Sequence, residues 1–589
     1  MKTEYLQKIY ENQSIAIVTF ENDTYTLNSK YKIGTLSISN KTAILNLSNN
    51  SSQKIFIDFD KLNGAYRDDT VLVQVLFNPK GKTKAKVIQI LTRNANAILC
   101  FVKDKNLYTI KENILIDCEV VNNKDGDVVI FEEGKIASKF GNIADAKVDE
   151  PISLFLYNEY YRLQEPKLVS YDSLDTTNRV DLTHLDFCTI DPASAKDHDD
   201  AIYFDEKTNE IYVAIADVSA YVKEGSELDA DALRRSFSIY FPHKVLPMLP
   251  FKLSTDLCSL VPHQSRPAYV FKMTLNPKNM QVTKSELFEA MIESKHKHSY
   301  EYIDEVLEQN DPSNSYNKLF TMTQKLKRNR LKNGFDFRND EIRLILDDEE
   351  KLKSFKSESS SASHSLVEEC MLLANQEAAK KLKSVGIFRV HDEPSDAKIK
   401  KLIDEVNFLG IKAKLKDDVH STIIKIQKQA REVNLEQEVD ELIIQSQQQA
   451  SYSSTKKPHF GLGFDDYSHF TSPIRRYSDL VLHRILKSGK VPQNIEEICE
   501  DISIREREIA SLVWDFEDRK YARFLQNHIG KTFDATIIDT DNIIVKLDSI
   551  VKGARVFIEN YSGQKLFSKV QVKITSSDII SKKITGNII

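Results

Sequence analysis

The sequence has no Cys-x-x-Cys pair and no apolar run approaching the roughly 20 residues needed to cross a bilayer. Its six cysteines (Cys100, Cys118, Cys188, Cys258, Cys370, Cys499) are scattered over 589 residues. Such spacing argues against a thiolate zinc site and a disulfide framework, and fits a reducing cytoplasm. No apolar stretch follows Met1-Lys2-Thr3-Glu4-Tyr5, so no secretory signal is expected. An excess of positive charge is missing as well, the net charge being −6. Global charge is a weak guide to nucleic-acid binding, which follows local patches. Beyond residue 551 the balance reverses: Lys552, Arg555, Lys565, Lys569, Lys573, Lys582 and Lys583 face Glu559 and Asp578. A lysine-rich face is more often merely solvated, so this alone only hints at RNA or DNA.

What the chain does have is four aspartates within ten residues: Asp191, Asp197, Asp199 and Asp200. Like charges this close do not all stay ionised cheaply without a cation between them. Carboxylates without thiolates suit a hard ion such as Mg²⁺ or Mn²⁺. Paired ions of this kind are a recurrent device for attacking a phosphodiester. An acidic surface loop is the plain alternative. An EF-hand is excluded, because its turn glycine and terminal glutamate are missing. Residues 186–190 and 202–204 read as strands, so the aspartates fall in a loop between them.

A chain this long exceeds one core, and a prior of about 150 residues per domain suggests about three to five domains. Short β-rich runs at 14–20, 42–47 and 71–77 dominate the start, with a turn at Pro79-Lys80-Gly81-Lys82. More strands follow through Gly141, and again from Thr532. Small barrels account for both regions, although generic β-sandwiches fit the pattern as well. Between them lie a short helix over 228–237, a helix opened by a capping box at Ser365-Leu366-Val367-Glu368, and a long helix over 495–528.

The second motif is His459-Phe460-Gly461-Leu462-Gly463, followed by Tyr467-Ser468-His469-Phe470-Thr471-Ser472-Pro473-Ile474-Arg475-Arg476-Tyr477. Thr471 or Ser472 suits a helix cap and Pro473 its first turn. Two arginines at a positive helix end make a phosphate clamp. A surface arginine pair bridging to a carboxylate is the competing reading.

Together these motifs resemble the ribonuclease II/ribonuclease R (RNB) family of exoribonucleases. Ile215-Ala216-Asp217-Val218-Ser219, Tyr240-Phe241-Pro242, Leu257-Cys258-Ser259-Leu260 and Arg389-Val390-His391-Asp392-Glu393-Pro394 match it too, so the likeness spans roughly residues 180–528. Ser363-His364-Ser365-Leu366-Val367-Glu368-Glu369 and the Tyr467–Pro473 run lean towards ribonuclease R. The resemblance implies a multidomain α+β protein. Two N-terminal cold-shock-like barrels (1–78 and 79–165) and a C-terminal OB-fold RNA-binding barrel (529–589) would flank a central catalytic domain (166–528).

It further implies processive 3′→5′ hydrolysis of RNA to nucleoside 5′-monophosphates in the cytoplasm, by a monomer without membrane association. Asp191, Asp197, Asp199 and Asp200 would hold Mg²⁺, or Mn²⁺ in its place, with Asp199 the most critical for chemistry. Arg475 would act on the scissile phosphate, with Arg476 as a lesser RNA contact. Tyr300 and Phe337 match the family's base clamp, Tyr240 a contact further along the channel, and Glu369 a glutamate near the site. Singly, each aromatic would be read as core packing. Single-stranded RNA is the expected partner, as is structured RNA with a 3′ overhang.

Two departures stand out. Asp518 occupies the place counted for a family glutamate near the RNA 3′ end. The chain also stops at Ile589 without the long lysine-rich extension of many ribonuclease R proteins, which weakens the expectation of duplex opening. A noncatalytic RNA-binding regulator with the same fold is the main alternative, though it would be expected to have lost aspartates. A metal-dependent hydrolase of another substrate is the third, and the barrels, the aromatics and the arginine pair speak against it.

Overall fold

The computed structural model describes the chain apart from residues 1–2, 13–16, 22, 40–41, 48–54, 59–60, 64, 66–68, 77–82, 93–96, 112, 159–164, 168–173, 338–340, 417, 549–550 and 561–562. The expected turn at Pro79–Lys82 therefore lies outside the described residues. Among these residues no helix is long and apolar enough to cross a membrane.

The first barrel closes in the order Tyr31–Ser39, Thr42–Leu47, Ile55–Ile57, Lys84–Thr92, Thr70–Leu76. Alternating residues such as Leu36, Leu45, Ile55, Val71 and Val73 fill its interior. Gly34 is needed where two strands meet, since a Cβ there would sit 2.3 Å from the Asn46 carbonyl oxygen. The closing strand pairs Ala85 with Ile57, so the barrel runs past the boundary expected at 78/79. Next comes an antiparallel sheet ordered Leu115–Ile116, Asn106–Thr109, Ala97–Lys103, Asp127–Glu132, Lys135–Asn142. No pairing closes it among the described residues. Val148 and Ile152 instead cover one face, over Leu99, Phe101 and Val128.

The central domain is built on a six-stranded sheet: Val180–Asp181, Val282–Ser299, Phe187–Asp191, Asp200–Asp205, Glu210–Ala216, Ser265–Leu275. Val282–Ser299 also pairs with Ser265–Leu275, so the sheet curls back on itself. Helix Ala362–Lys381 buries Leu366, Cys370, Ala374 and Ala378 against it. That helix opens earlier than the Ser365–Glu368 pattern suggests. Ser361 is extended and its hydroxyl accepts from the His364 N–H, which makes it the N-cap. The C-terminal barrel closes as Thr532–Asp539, Ile544–Leu547, Arg555–Ile558, Lys583–Ile588, Lys569–Asp578.

Helix Ile495–Gln526, 32 residues long, joins the domains. Its buried Arg523 donates to both Asp149 oxygens, at 2.6 and 3.1 Å. Buried Lys520 lies 3.1 Å from the same carboxylate. Asp149 opens helix Asp149–Tyr157 of the second N-terminal unit. One helical turn away, Asp515 accepts from Arg519 at 2.8 Å and from Ser153 at 2.8 Å, and also pairs with Lys582 of the C-terminal barrel. Removing one partner of a buried ion pair typically costs about 3–5 kcal/mol, because the other charge is left unpaired. Asp149→Ala is therefore expected to lower the urea midpoint of the full chain strongly, and Asp149→Asn nearly as much. An unchanged midpoint would show the seam carries little stability.

Candidate active site

Asp191 ends strand Phe187–Asp191 and Asp200 begins strand Asp200–Asp205, with Asp197 and Asp199 in the loop between. This loop is tied to its surroundings through its backbone as well as its carboxylates. The Ser259 hydroxyl accepts from the His198 N–H (2.9 Å) and donates to the Lys196 carbonyl (2.9 Å). Leu260 N–H reaches the His198 carbonyl at 3.0 Å, and Ala216 N–H the Asp199 carbonyl at 2.8 Å. The Lys297 ammonium donates to the Ala195 carbonyl at 2.8 Å.

The carboxylates then meet distinct partners. Asp191 Oδ2 lies 2.6 Å from Nδ1 of buried His198. The Tyr240 hydroxyl donates to Asp197 Oδ2 at 3.0 Å. Asp199 is buried; its Oδ1 accepts the Ile474 N–H at 2.8 Å, and its Oδ2 lies 3.4 Å from Arg475 Nε. Burial pushes the Asp199 pKa up to about 8 against the pull of Arg475, with Asp197 adding to the rise. Burial, then the charges of Asp191 and Asp199, raise Asp200 well above the usual carboxylate range. An oxygen-only set whose buried members resist ionisation fits a hard divalent cation, which would supply the missing positive charge.

The arginines have different surroundings. Helix Tyr477–Ser488 starts later than the Thr471/Ser472 cap expected from sequence, with Arg476 at its N-cap. Ser472 forms a turn instead: its N–H is taken by Asp479 Oδ1 at 2.8 Å and its carbonyl by Arg476 N–H at 2.9 Å. Arg476 Nη2 also donates to buried Asp479, at 2.8 Å, so this side chain is committed inside the protein. Arg475 is 44% exposed and is steadied by Ser472 Oγ at 3.0 Å. The turn is pinned to the stretch before Tyr240 by Tyr477 N–H to Ser236 O, 2.8 Å, and Ser238 N–H to Arg475 O, 3.1 Å.

Tyr300 starts helix Tyr300–Glu308 and stacks on His364, centroids 3.8 Å apart and planes at 15°. Its hydroxyl pKa is raised by burial and then by Asp200 and Asp191. Phe337 stacks on Phe335 at 5.8 Å and packs into a separate helical cluster with Ile399 and Leu402. Glu369 forms a buried pair with Arg330 at 2.6 Å, lining a cavity of about 600 Å³. Asp518 accepts from Arg555 of the C-terminal barrel at 2.9 Å, so it ties a helix to a barrel. His198, His364 and Arg330 were not singled out in the sequence. His364 carried a signal, since it lies inside the Ser363–Glu369 run that leans towards ribonuclease R.

The RNB domain model matches residues 179–490, and the model "Ribonuclease R, OB first domain, N-terminal" matches residues 2–86. Ribonuclease R of Helicobacter pylori (strain ATCC 700392 / 26695) is 36% identical over 481 residues, covering 77% of this chain and 74% of that protein. The chain belongs to the ribonuclease R family of RNB exoribonucleases. A solved ribonuclease R, that of Mycoplasma genitalium with ribose-methylated single-stranded RNA, superposes with a TM-score of 0.82 at 24% identity, covering 95% of this chain and all (100%) of that one. Yeast Ssd1, a pseudonuclease, shares the fold at a TM-score of 0.67 and 16% identity, over 90% of this chain and 79% of its own. The fold by itself therefore does not establish nuclease chemistry.

Proposed function

We propose that the chain is a processive, metal-dependent 3′→5′ exoribonuclease that releases nucleoside 5′-monophosphates. The observation that carries this is buried Asp199, beside a partly buried Asp200, facing a half-exposed Arg475. Asp191, Asp197, Asp199 and Asp200 would hold Mg²⁺, or Mn²⁺ in its place. When bound, such ions activate water and offset the charge of the phosphate under attack.

The chain's own residues would do the rest. Asp199 is held by Ile474 N–H at one carboxylate oxygen while the other faces Arg475. Arg475, needing little movement, would turn its free donors to a non-bridging phosphate oxygen. Tyr240 keeps Asp197 oriented and would contact the RNA beyond. The Tyr300–His364 pair would offer a stacking face to a base near the 3′ end, with Phe337 as the opposite side of the clamp. Arg476 and Glu369 would act indirectly, by holding the arginine turn and helix Ala362–Lys381. Six free cysteines fit work in the cytoplasm.

Stacking contributes about 1–3 kcal/mol per base. Tyr300→Ala is accordingly expected to raise KM by roughly tenfold or more and to lengthen the final product, while Tyr300→Phe should match wild type.

All four aspartates are present, which favours the enzyme over a noncatalytic RNA-binding regulator. The deciding experiment uses 5′-labelled RNA, single-stranded or as a duplex with a 3′ overhang, with magnesium or chelator. A ladder receding from the 3′ end only with metal supports the proposal. Tight binding of RNA that is never shortened would establish the regulator instead.

A further inference from the structure

Away from the aspartates, three side chains from distant segments converge at one seam. Glu150 lies in the first turn of helix Asp149–Tyr157. His243 sits between the short strands Ile239–Tyr240 and Val245–Leu246, and Glu350 at the tip of the hairpin Glu341–Leu346/Leu352–Glu358. Their ligand atoms all fall within 4.8 Å of one another, the one such His/Cys/Asp/Glu group among the described residues. His243 Nε2 lies 2.9 Å from Glu150 Oε2 and 3.8 Å from Glu350 Oε2.

Several features suit this group to a ligand. Glu350 Oε2 is shielded from solvent and has no hydrogen-bond partner, a costly state for a carboxylate oxygen. His243 Nδ1 is also buried and unpartnered, so the ring's proton stands on Nε2 towards Glu150 and the other nitrogen is left unsatisfied. Phe516 stacks on the imidazole at 5.6 Å and 25°, which holds the ring in place. Burial would raise the Glu150 pKa, but His243 and Lys244 outweigh it and keep the group ionised. Lys244 binds Glu150 Oε1 at 2.7 Å and is 44% exposed, which leaves Oε2 to the imidazole.

We propose that Glu150, His243 and Glu350 form a second metal site, separate from the aspartates, for a borderline divalent ion such as Zn²⁺. An imidazole with two carboxylates is a zinc-type donor set, whereas Mg²⁺ prefers oxygen alone. Tetrahedral zinc with bonds of about 2.0–2.1 Å needs ligands about 3.3 Å apart, between the two spacings seen here. Binding would displace the proton that Nε2 shares with Glu150 and give Glu350 Oε2 its missing partner. The ion would join the second N-terminal unit, the hairpin and the short strand that presents Tyr240 to Asp197.

The test uses the full chain with limiting Zn²⁺ in excess Mg²⁺, dialysed and assayed for metal by mass spectrometry. Wild type and the Asp199→Asn/Asp200→Asn variant should each retain one zinc, while His243→Gln and Glu350→Gln should retain none. Zinc kept by the seam variants but lost from the aspartate variant, or retained by no protein, would overturn the proposal. If the seam variants fail to fold, Co²⁺ in the Asp199→Asn/Asp200→Asn variant decides. An intense tetrahedral visible spectrum supports the site, and a weak octahedral spectrum or none refutes it.

Discussion

Asp199→Asn should reduce RNA hydrolysis by three orders of magnitude or more, which corresponds to about 4 kcal/mol of lost transition-state stabilisation. The substitution nearly preserves shape. Its amide oxygen still accepts the Ile474 N–H, but its amide nitrogen then faces Arg475 Nε, donor against donor, where a carboxylate oxygen now stands. The metal loop thus loses a charge while Arg475 loses its counter-ion. Folding should not suffer, since burial already disfavours the charged form of Asp199. The check is single-turnover hydrolysis at saturating Mg²⁺ beside filter binding and thermal melting. Near-normal turnover would remove Asp199 from the chemistry, and lost RNA binding would make its role one of assembly.

Substitutions at the adjacent arginines should fail in opposite ways. Arg475→Ala removes an accessible donor and is expected to lower kcat by about 10²–10³-fold, or about 3–4 kcal/mol, with little change in melting. Arg476→Ala strands Asp479, which is fully buried and also holds the Ser472 N–H. That variant should melt well below wild type, its activity falling with its folded fraction. Measuring kcat and melting temperature on both variants separates the two roles. Equal loss of kcat with intact stability in both would show instead that the pair grips phosphate jointly.

The aspartate loop was legible in the sequence because its information is local: strand, acidic loop, strand, within about twenty residues. The RNB likeness was legible for the same reason, as a series of short motifs in order. Pairings across the fold were not. Arg476 reads as a phosphate ligand until Asp479 is seen one helical turn away holding it. Glu369 meets Arg330, and Asp518 meets Arg555, through packing that no spacing encodes. The cap of helix Ala362–Lys381 was misplaced because two serines offered the same chemistry and only Ser361 has the extended backbone a cap needs. The first barrel outran its expected end because a parallel pairing between Ile57 and Ala85 leaves no local trace. Cysteine spacing argues against a thiolate zinc site, yet it is silent about a histidine and two glutamates drawn from three regions.

Helix Ile495–Gln526 spans about 48 Å at the usual rise of 1.5 Å per residue, and its last turns are bonded to modules on both sides. A cut in the chain near residue 165 would not yield independent parts. Pulling the two parts asunder would uncover Lys520 and Arg523, two cations now sealed against Asp149. The modules that flank the central domain are thus not beads on a string that recombination can trade freely. Any replacement would have to bring its own acid to the same spot.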